Sequence, residues 1–154
     1  MKHQFCGLLL GAFIPLFAMT AEAALGDQLV TTSSSTSSSA RKATSSGSSY
    51  SVSEATTDDG VKVRQYVDAQ GRVFGISWKG TTLPPLSELL GTYLPEYKKE
   101  VKARGRQFGR RSLKISTDNI VVEGSSRQTD QRGRAYIPAS LPQGFDLKEI
   151  NFNE

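Results

Sequence analysis

The first 23 residues constrain the rest of the chain most strongly, because they have the pattern of a leader that is cut away. A positive charge at residues 1–4 precedes an apolar run at 5–19. Ala21-Glu22-Ala23 then matches the small-x-small rule of signal peptidases. A membrane span needs about 20 apolar residues, and this run is shorter. We therefore expect cleavage after Ala23, export to the periplasm or the extracellular space, and no transmembrane segment in the mature chain.

Removal of the leader narrows the chemistry that the mature chain can perform. The only histidine and the only cysteine, His3 and Cys6, both leave with it. A chain that starts at Ala24 forms no disulfide and no His or Cys metal site. Thiol catalysis and a Ser-His-Asp triad are excluded as well. The acids have no glycosidase-like or calcium-loop spacing, so we predict a non-catalytic protein without a cofactor. A carboxylate-based enzyme is the third and weakest alternative.

A Ser/Thr-rich segment separates the leader from the remaining sequence. Between Thr31 and Ser49, 14 of 19 residues are Ser or Thr, and Arg41 and Lys42 are the only charges. Such a stretch buries too little apolar surface to offset the entropy lost on ordering. We expect residues 24–49 to form a disordered linker, either a plain spacer or an O-glycosylated stalk.

Residues 50–154 predict a single α+β domain of two layers. Two alternating runs, at 61–67 and 72–78, suit an antiparallel hairpin whose turn ends at a glycine with positive φ. Pro84-Pro85 opens a helical segment with leucines and tyrosines at helical spacing, kinked at Pro95 and ending before residue 105. We therefore expect antiparallel β-hairpins packed on a kinked helical segment, preceded by the signal peptide and the linker.

The alternation also predicts which side chains of the first hairpin share a face. A four-residue turn pairs Val61 with Trp78 and Val63 with Ile76, and places Phe74 on the same apolar face. The other face is expected to be solvated. Trp78 belongs in the core on this pattern.

A second hairpin is predicted around Asp118-Asn119, a favourable two-residue turn. In that register Lys114 faces Glu123 and Ile115 faces Val122. Residues 134–137 supply one further strand, and two prolines then lead into an extended tail that docks weakly.

A basic cluster around the end of the helical segment is the main candidate site. It contains a single acid, Glu100. Two interpretations are open. Either the cluster binds an anionic envelope polymer or lipid, or it is a solvated face in which the lysines complement a helix C-terminus. Tyr66, on the solvated face of the hairpin, is a further surface candidate, or is partly buried under the linker or tail. The cluster consists of Lys98, Lys99, Lys102, Arg104, Arg106, Arg110, Arg111 and Lys114.

Five blocks of the sequence, in this order, carry a resemblance to a known family. They are ALG at 24–26, VRQYV at 63–67, VFGISW at 73–78, PPLSELLG at 84–91 and GRAYIP at 133–138. Together they resemble a proteobacterial secreted family catalogued as domain of unknown function 2844. The resemblance implies a small exported protein of a Gram-negative cell, and it implies no activity, ligand or catalytic residue.

Two functional hypotheses therefore lead. The first is a cell-envelope module that binds an anionic glycan or lipid through its basic surface. The second is a protein-interaction or assembly factor that binds an envelope protein through an exposed sheet edge. Nucleic acid is not an expected partner, because the protein is exported and its tryptophan is placed in the core.

Overall fold

The computed structural model describes residues 24–28, 38–105, 109 and 111–151. Seven antiparallel strands in this part of the chain form one sheet, in the order β1-β2-β3-β4-β7-β6-β5. The expected α+β architecture is confirmed. The strands are β1 Ser38–Ala43, β2 Ser49–Thr56, β3 Lys62–Val67, β4 Val73–Gly80, β5 Ser112–Ser116, β6 Val121–Arg127 and β7 Asp130–Tyr136.

The helical segment lies between β4 and β5 and is broken as its prolines predict. Helix α1 spans Leu86–Leu90, a 3₁₀ turn follows at Gly91–Tyr93, and helix α2 spans Leu94–Arg104. Pro95 lies in the first turn of α2, where a missing N–H costs no hydrogen bond. The helix ends at Gly105, whose φ of 66° is accessible to glycine at little cost.

Both faces of the sheet are covered, so the expectation of one solvated face is wrong. The helices cover the first face, where Trp78 and Ile76 are buried together with Leu90. The second face carries an aromatic cluster of Tyr50, Tyr66, Phe74 and Tyr136, covered by the tail at 141–150. Ile150 is fully buried there, so the tail docks firmly.

The first hairpin has a different register from the one predicted. Val63 lies opposite Trp78 and Gln65 opposite Ile76, a shift of two residues along β3. The shift has two sources, each of which adds one residue on the β4 side. Arg72 joins the turn, where its backbone N–H donates to Asp68 Oδ1 at 2.9 Å. The second added residue is Phe74 on β4, which lies between Val73 and Gly75 and has no partner on β3. This bulge also explains why Phe74 lies on the second face, away from Trp78.

Parts of the segment assigned to the linker belong to the fold. Leu25 is fully buried, and its backbone N–H donates to Leu89 O at 2.9 Å. Strand β1 extends the sheet at its outer edge beside β2. The turn after β1 contacts the tail, since Thr44 Oγ1 donates to Gln143 O at 2.9 Å. The disordered linker predicted over 24–49 is therefore wrong for 24–28 and 38–49, while residues 29–37 lie outside the described residues.

The second hairpin and the last strand agree with prediction. Lys114 pairs with Glu123 and Ile115 with Val122, as the turn at Asp118-Asn119 requires. Strand β7 is longer than expected and lies between β4 and β6, so it is an interior strand of the sheet.

Candidate functional site

A cleft of about 320 Å³ opens between the C-terminal half of α2 and the end of the sheet formed by β4, β7, β6 and β5. We call it the Trp78 cleft. Its volume is at the lower end of the range for ligand sites in proteins, about 300–1,000 Å³. The apolar part of the lining consists of Trp78, Leu83, Leu86, Tyr97, Val101, Leu113 and Val122.

Two paired glycines create the floor of this cleft. Gly133 on β7 lies opposite Trp78 on β4 on one side and opposite Gly124 on β6 on the other. A Cβ at Gly133 would lie 2.2 Å from Trp78 Cζ2, so the indole occupies the space where a side chain would stand. At Gly124, by contrast, the nearest atom to a Cβ would be Arg132 O at 3.8 Å. The indole therefore lies over Gly133, and the space above Gly124 stays open.

The indole also brings a buried hydrogen-bond donor to the floor. Trp78 is 2% exposed, and its Nε1–H has no acceptor within the described part of the chain. Buried polar groups in proteins are nearly always paired, and an unpaired one costs free energy.

Three arginines border the apolar lining, and no acidic side chain lines the cleft among the residues described. Arg104 on α2 donates to Lys114 O and so joins the helix to β5. Arg111 forms no ion pair with any residue that the structure describes. Arg132 is bound to Asp130, with Nε 2.7 Å from Oδ1. The mouth of the cleft is therefore positively charged, which suits a carboxylate or phosphate group.

The structure divides the predicted basic cluster rather than gathering it. Among the members of the cluster that the structure describes, only Arg104 and Arg111 reach the Trp78 cleft. The lysines at 98, 99 and 102 are exposed on the outer surface of α2. Lys114 points to the opposite face of the sheet and binds Glu123. Arg106 and Arg110 lie outside the described residues.

Of the two interpretations of Tyr66, burial under the tail is confirmed and a surface binding contact is wrong. It is 2% exposed, because the tail covers this face of the sheet. Its hydroxyl donates to Glu149 O at 2.6 Å, and burial raises its pKa. The ring therefore anchors the tail.

Glu123 organises the charges on the second face, on the other side of the sheet from the cleft. Its carboxylate accepts hydrogen bonds from Lys114 Nζ and from Arg134 Nε, each at 2.7 Å. Arg134 Nη1 also donates to Leu147 O at 2.8 Å, which ties the tail to β7. Burial opposes ionisation of Glu123, but these hydrogen bonds and charges outweigh it and lower the pKa of the carboxyl.

We expect Glu123→Gln to destabilise the domain by about 2 kcal/mol at pH 7, since Arg134 loses its charged partner. Because the folded pKa is depressed, the ionised carboxylate stabilises the fold above its unfolded value of about 4.3, and this contribution is lost as the pH falls through the folded value. Urea unfolding of both proteins between pH 7 and pH 3 measures the difference. Asp59→Asn, at an exposed turn, is the control. A difference that stays constant with pH would contradict the role of the charge.

Sequence reasoning missed the cleft for identifiable reasons. Gly124 and Gly133 are each the single glycine of a strand, and isolated strand glycines do signal a close approach. Their pairing with each other and with Trp78 depends on the placement of β7 between β4 and β6, which no local pattern specifies. Leu83 and Leu113 are single apolar residues in sequence and become neighbours only around the cleft.

Other kinds of site have little support in the described residues. No group of three or more His, Cys, Asp or Glu side chains in 24–28, 38–105, 109 and 111–151 is placed to hold a metal ion. None of the helices described has both the length and the apolar character that a membrane span requires.

Comparison with known proteins agrees with the resemblance seen in the sequence. Neither curated proteins nor solved structures give a match to this chain. The model of one family, described as a protein of unknown function (DUF2844), matches residues 21–150. These residues include the strands that build the Trp78 cleft and the whole tail at 141–150. The chain therefore belongs to the DUF2844 family of proteins of unknown function.

Proposed function

We propose that this protein is an exported, non-catalytic module of the cell envelope that binds an anionic glycan or lipid at the Trp78 cleft. The observation that carries the proposal is the charge of that cleft, in which three arginines and no acid of the described residues line an apolar recess. Guanidinium groups bind phosphate and carboxylate oxygens in pairs, which favours an anionic ligand. The leader pattern at residues 1–23 supports export.

The position of the arginines matters more to the proposal than the net charge of the domain. The chain has a formal net charge of +4, and charges on a solvated surface give only weak, salt-screened attraction. Arg104 and Arg111 are also exposed, but they border an apolar recess, so one ligand can contact their charges and the apolar lining together.

The test is binding of the purified mature chain to isolated envelope fractions over a salt series, with two charge-reversal variants. Arg104→Glu with Arg111→Glu changes the cleft, whereas Lys98→Glu with Lys99→Glu makes the same charge change on the outer surface of α2. We expect the cleft variant to bind at least about tenfold more weakly and the control to bind less than about threefold more weakly, with affinity falling as salt increases.

Circular dichroism must show that both variants are folded, since Arg104 also joins α2 to β5. Binding that ignores salt, or that falls equally in both variants, would contradict a site at the cleft.

The second candidate function, protein interaction at a sheet edge, is supported by β5. This strand lies at the edge of the sheet, and Leu113 on it is 39% exposed. An exposed edge strand offers unpaired backbone groups to a partner strand. A strictly monomeric protein that crosslinks to no envelope protein would count against this candidate.

A further inference from the structure

We infer that the ligand is an anionic phospholipid and that the Trp78 cleft holds part of one acyl chain. This inference rests on the proposed function and narrows it from anionic envelope molecules in general to one chemical class. The cleft would take the chain, and the arginines at its mouth would bind the phosphate.

The distribution of exposed apolar side chains is the first argument. Two large hydrophobic residues are exposed in the described part of the chain, Leu83 at 58% and Leu113 at 39%, and both line this cleft. Apolar residues gathered at one concave surface, with polar residues around them, mark a binding site for an apolar group. A glycan would leave these side chains in contact with water, whereas an acyl chain would cover them.

The aromatic residue on the floor also disfavours a sugar. Sugar rings and nucleobases bind by lying against an exposed aromatic face. Trp78 is 2% exposed, and Tyr97, the other aromatic residue of the lining, is partly buried against the core. What the cleft offers instead is an apolar wall of Leu86 and Val101 from the helical segment, opposite Leu113 and Val122 from the sheet. These side chains form the walls of a slot for a flexible hydrocarbon.

The charges at the mouth then select the headgroup. Arg111 has no ion pair within the residues described, and Arg104 is bound only to the Lys114 carbonyl there. A phosphodiester beside these guanidinium groups gains charge-assisted hydrogen bonds, while a zwitterionic headgroup also brings its own cation. We therefore expect phosphatidylglycerol to bind better than phosphatidylcholine.

Gly124 allows the inference to be tested without disturbing the fold. It lines the cleft, its φ is not positive, and a Cβ there meets nothing closer than 3.8 Å. Gly124→Phe should fill the slot with an aromatic side chain, whereas Gly124→Ala adds one methyl group and is the matched control. Leu83→Ser with Leu113→Ser is a second test, because both side chains are exposed and contribute little to stability.

The experiment is calorimetric titration of the purified mature chain with short-chain phosphatidylglycerol below its micelle concentration. Phosphatidylcholine of the same chain length tests the headgroup, and glycerol phosphate, the headgroup without chains, tests the anion alone. We expect Gly124→Phe to weaken phosphatidylglycerol binding at least about tenfold, Gly124→Ala to have little effect, and glycerol phosphate to bind weakly and equally to all three proteins.

Three results would overturn the inference, and they separate it from the proposed function. If phosphatidylglycerol binds Gly124→Phe and the wild type equally while charge reversal at Arg104 and Arg111 abolishes binding, the anionic site stands and the acyl-chain slot does not. If envelope fractions bind but phosphatidylglycerol does not, the ligand is another anion, such as a glycan. If neither binds, the proposed function and the inference both fail.

Discussion

Replacing Gly133 with alanine is expected to destabilise the domain by about 3 kcal/mol or more. The new Cβ would lie 2.2 Å from Trp78 Cζ2 and 2.8 Å from Glu123 O. Neither neighbour can move easily, because Trp78 is packed in the core and Glu123 O belongs to the adjacent strand. Overpacking of this kind forces side chains off their rotamers and shifts the backbone. Urea unfolding followed by circular dichroism measures the loss.

Gly124→Ala is the matched control, since the two glycines face each other across β6 and β7. A Cβ at Gly124 has room, so alanine should leave stability unchanged or raise it by about 0.5 kcal/mol through the smaller entropy of the unfolded chain. If both variants unfold at the same urea concentration as the wild type, the packing of Trp78 over Gly133 is wrong. The cleft floor described above would then be wrong as well.

The second large effect is expected at the tail. Ile150→Ala should lower the free energy of unfolding by about 4 kcal/mol. Ile150 is fully buried, and its Cδ1 would lie 2.9 Å from a Cβ at Gly75, so it packs directly on the sheet backbone. A rigid strand cannot collapse into the space that the substitution leaves, which places the cost toward the upper end of its range.

Thermal unfolding of Ile150→Ala beside Leu83→Ala provides the comparison. Leu83 is 58% exposed, so its truncation should change stability by less than about 0.5 kcal/mol. The aromatic contacts of Phe145, whose ring centroid lies 5.1 Å from those of both Tyr50 and Phe74, depend on the same docking. A loss below about 1 kcal/mol for Ile150→Ala would mean that the tail is a loose attachment rather than the cover of the second core.

Local sequence patterns predicted the elements that depend on local physics. The prolines at 84 and 85, the leucine spacing and Gly105 define the helical segment correctly. The second hairpin was predicted in its register, because two residues are enough for its turn and no bulge interrupts the pairing of its strands. The family resemblance was confirmed by the match over 21–150.

The errors have physical causes that a single local pattern does not contain. The register of the first hairpin depends on a bulge at Phe74, and nothing in the alternation of 73–78 announces an extra residue. The burial of Tyr66 depends on a tail more than 80 residues away, through the Tyr66–Glu149 hydrogen bond. Strand β1 comes from a Ser/Thr-rich tract with low intrinsic preference for order, and it is stabilised by pairing with β2.

Only the positive charge of the candidate site was predictable from the sequence. Arg104 and Arg111 belong to the predicted basic cluster, but no local pattern separates them from the outer lysines. Their separation follows from the position of the cleft, which depends on Trp78, Gly124 and Gly133 coming together across three strands.

The most direct test of the Trp78 cleft as the binding site uses its tryptophan, which is the only one in the chain. One indole N–H resonance therefore reports on the floor of the cleft in a two-dimensional NMR spectrum of the mature protein. On titration with short-chain phosphatidylglycerol, we expect this resonance to shift together with the amides of Leu113 and Gly124. Amides beside Lys98 and Lys99 on the outer surface of α2 should move little. Shifts confined to the outer surface, with the indole resonance unchanged at saturation, would contradict the assignment of the cleft as the binding site.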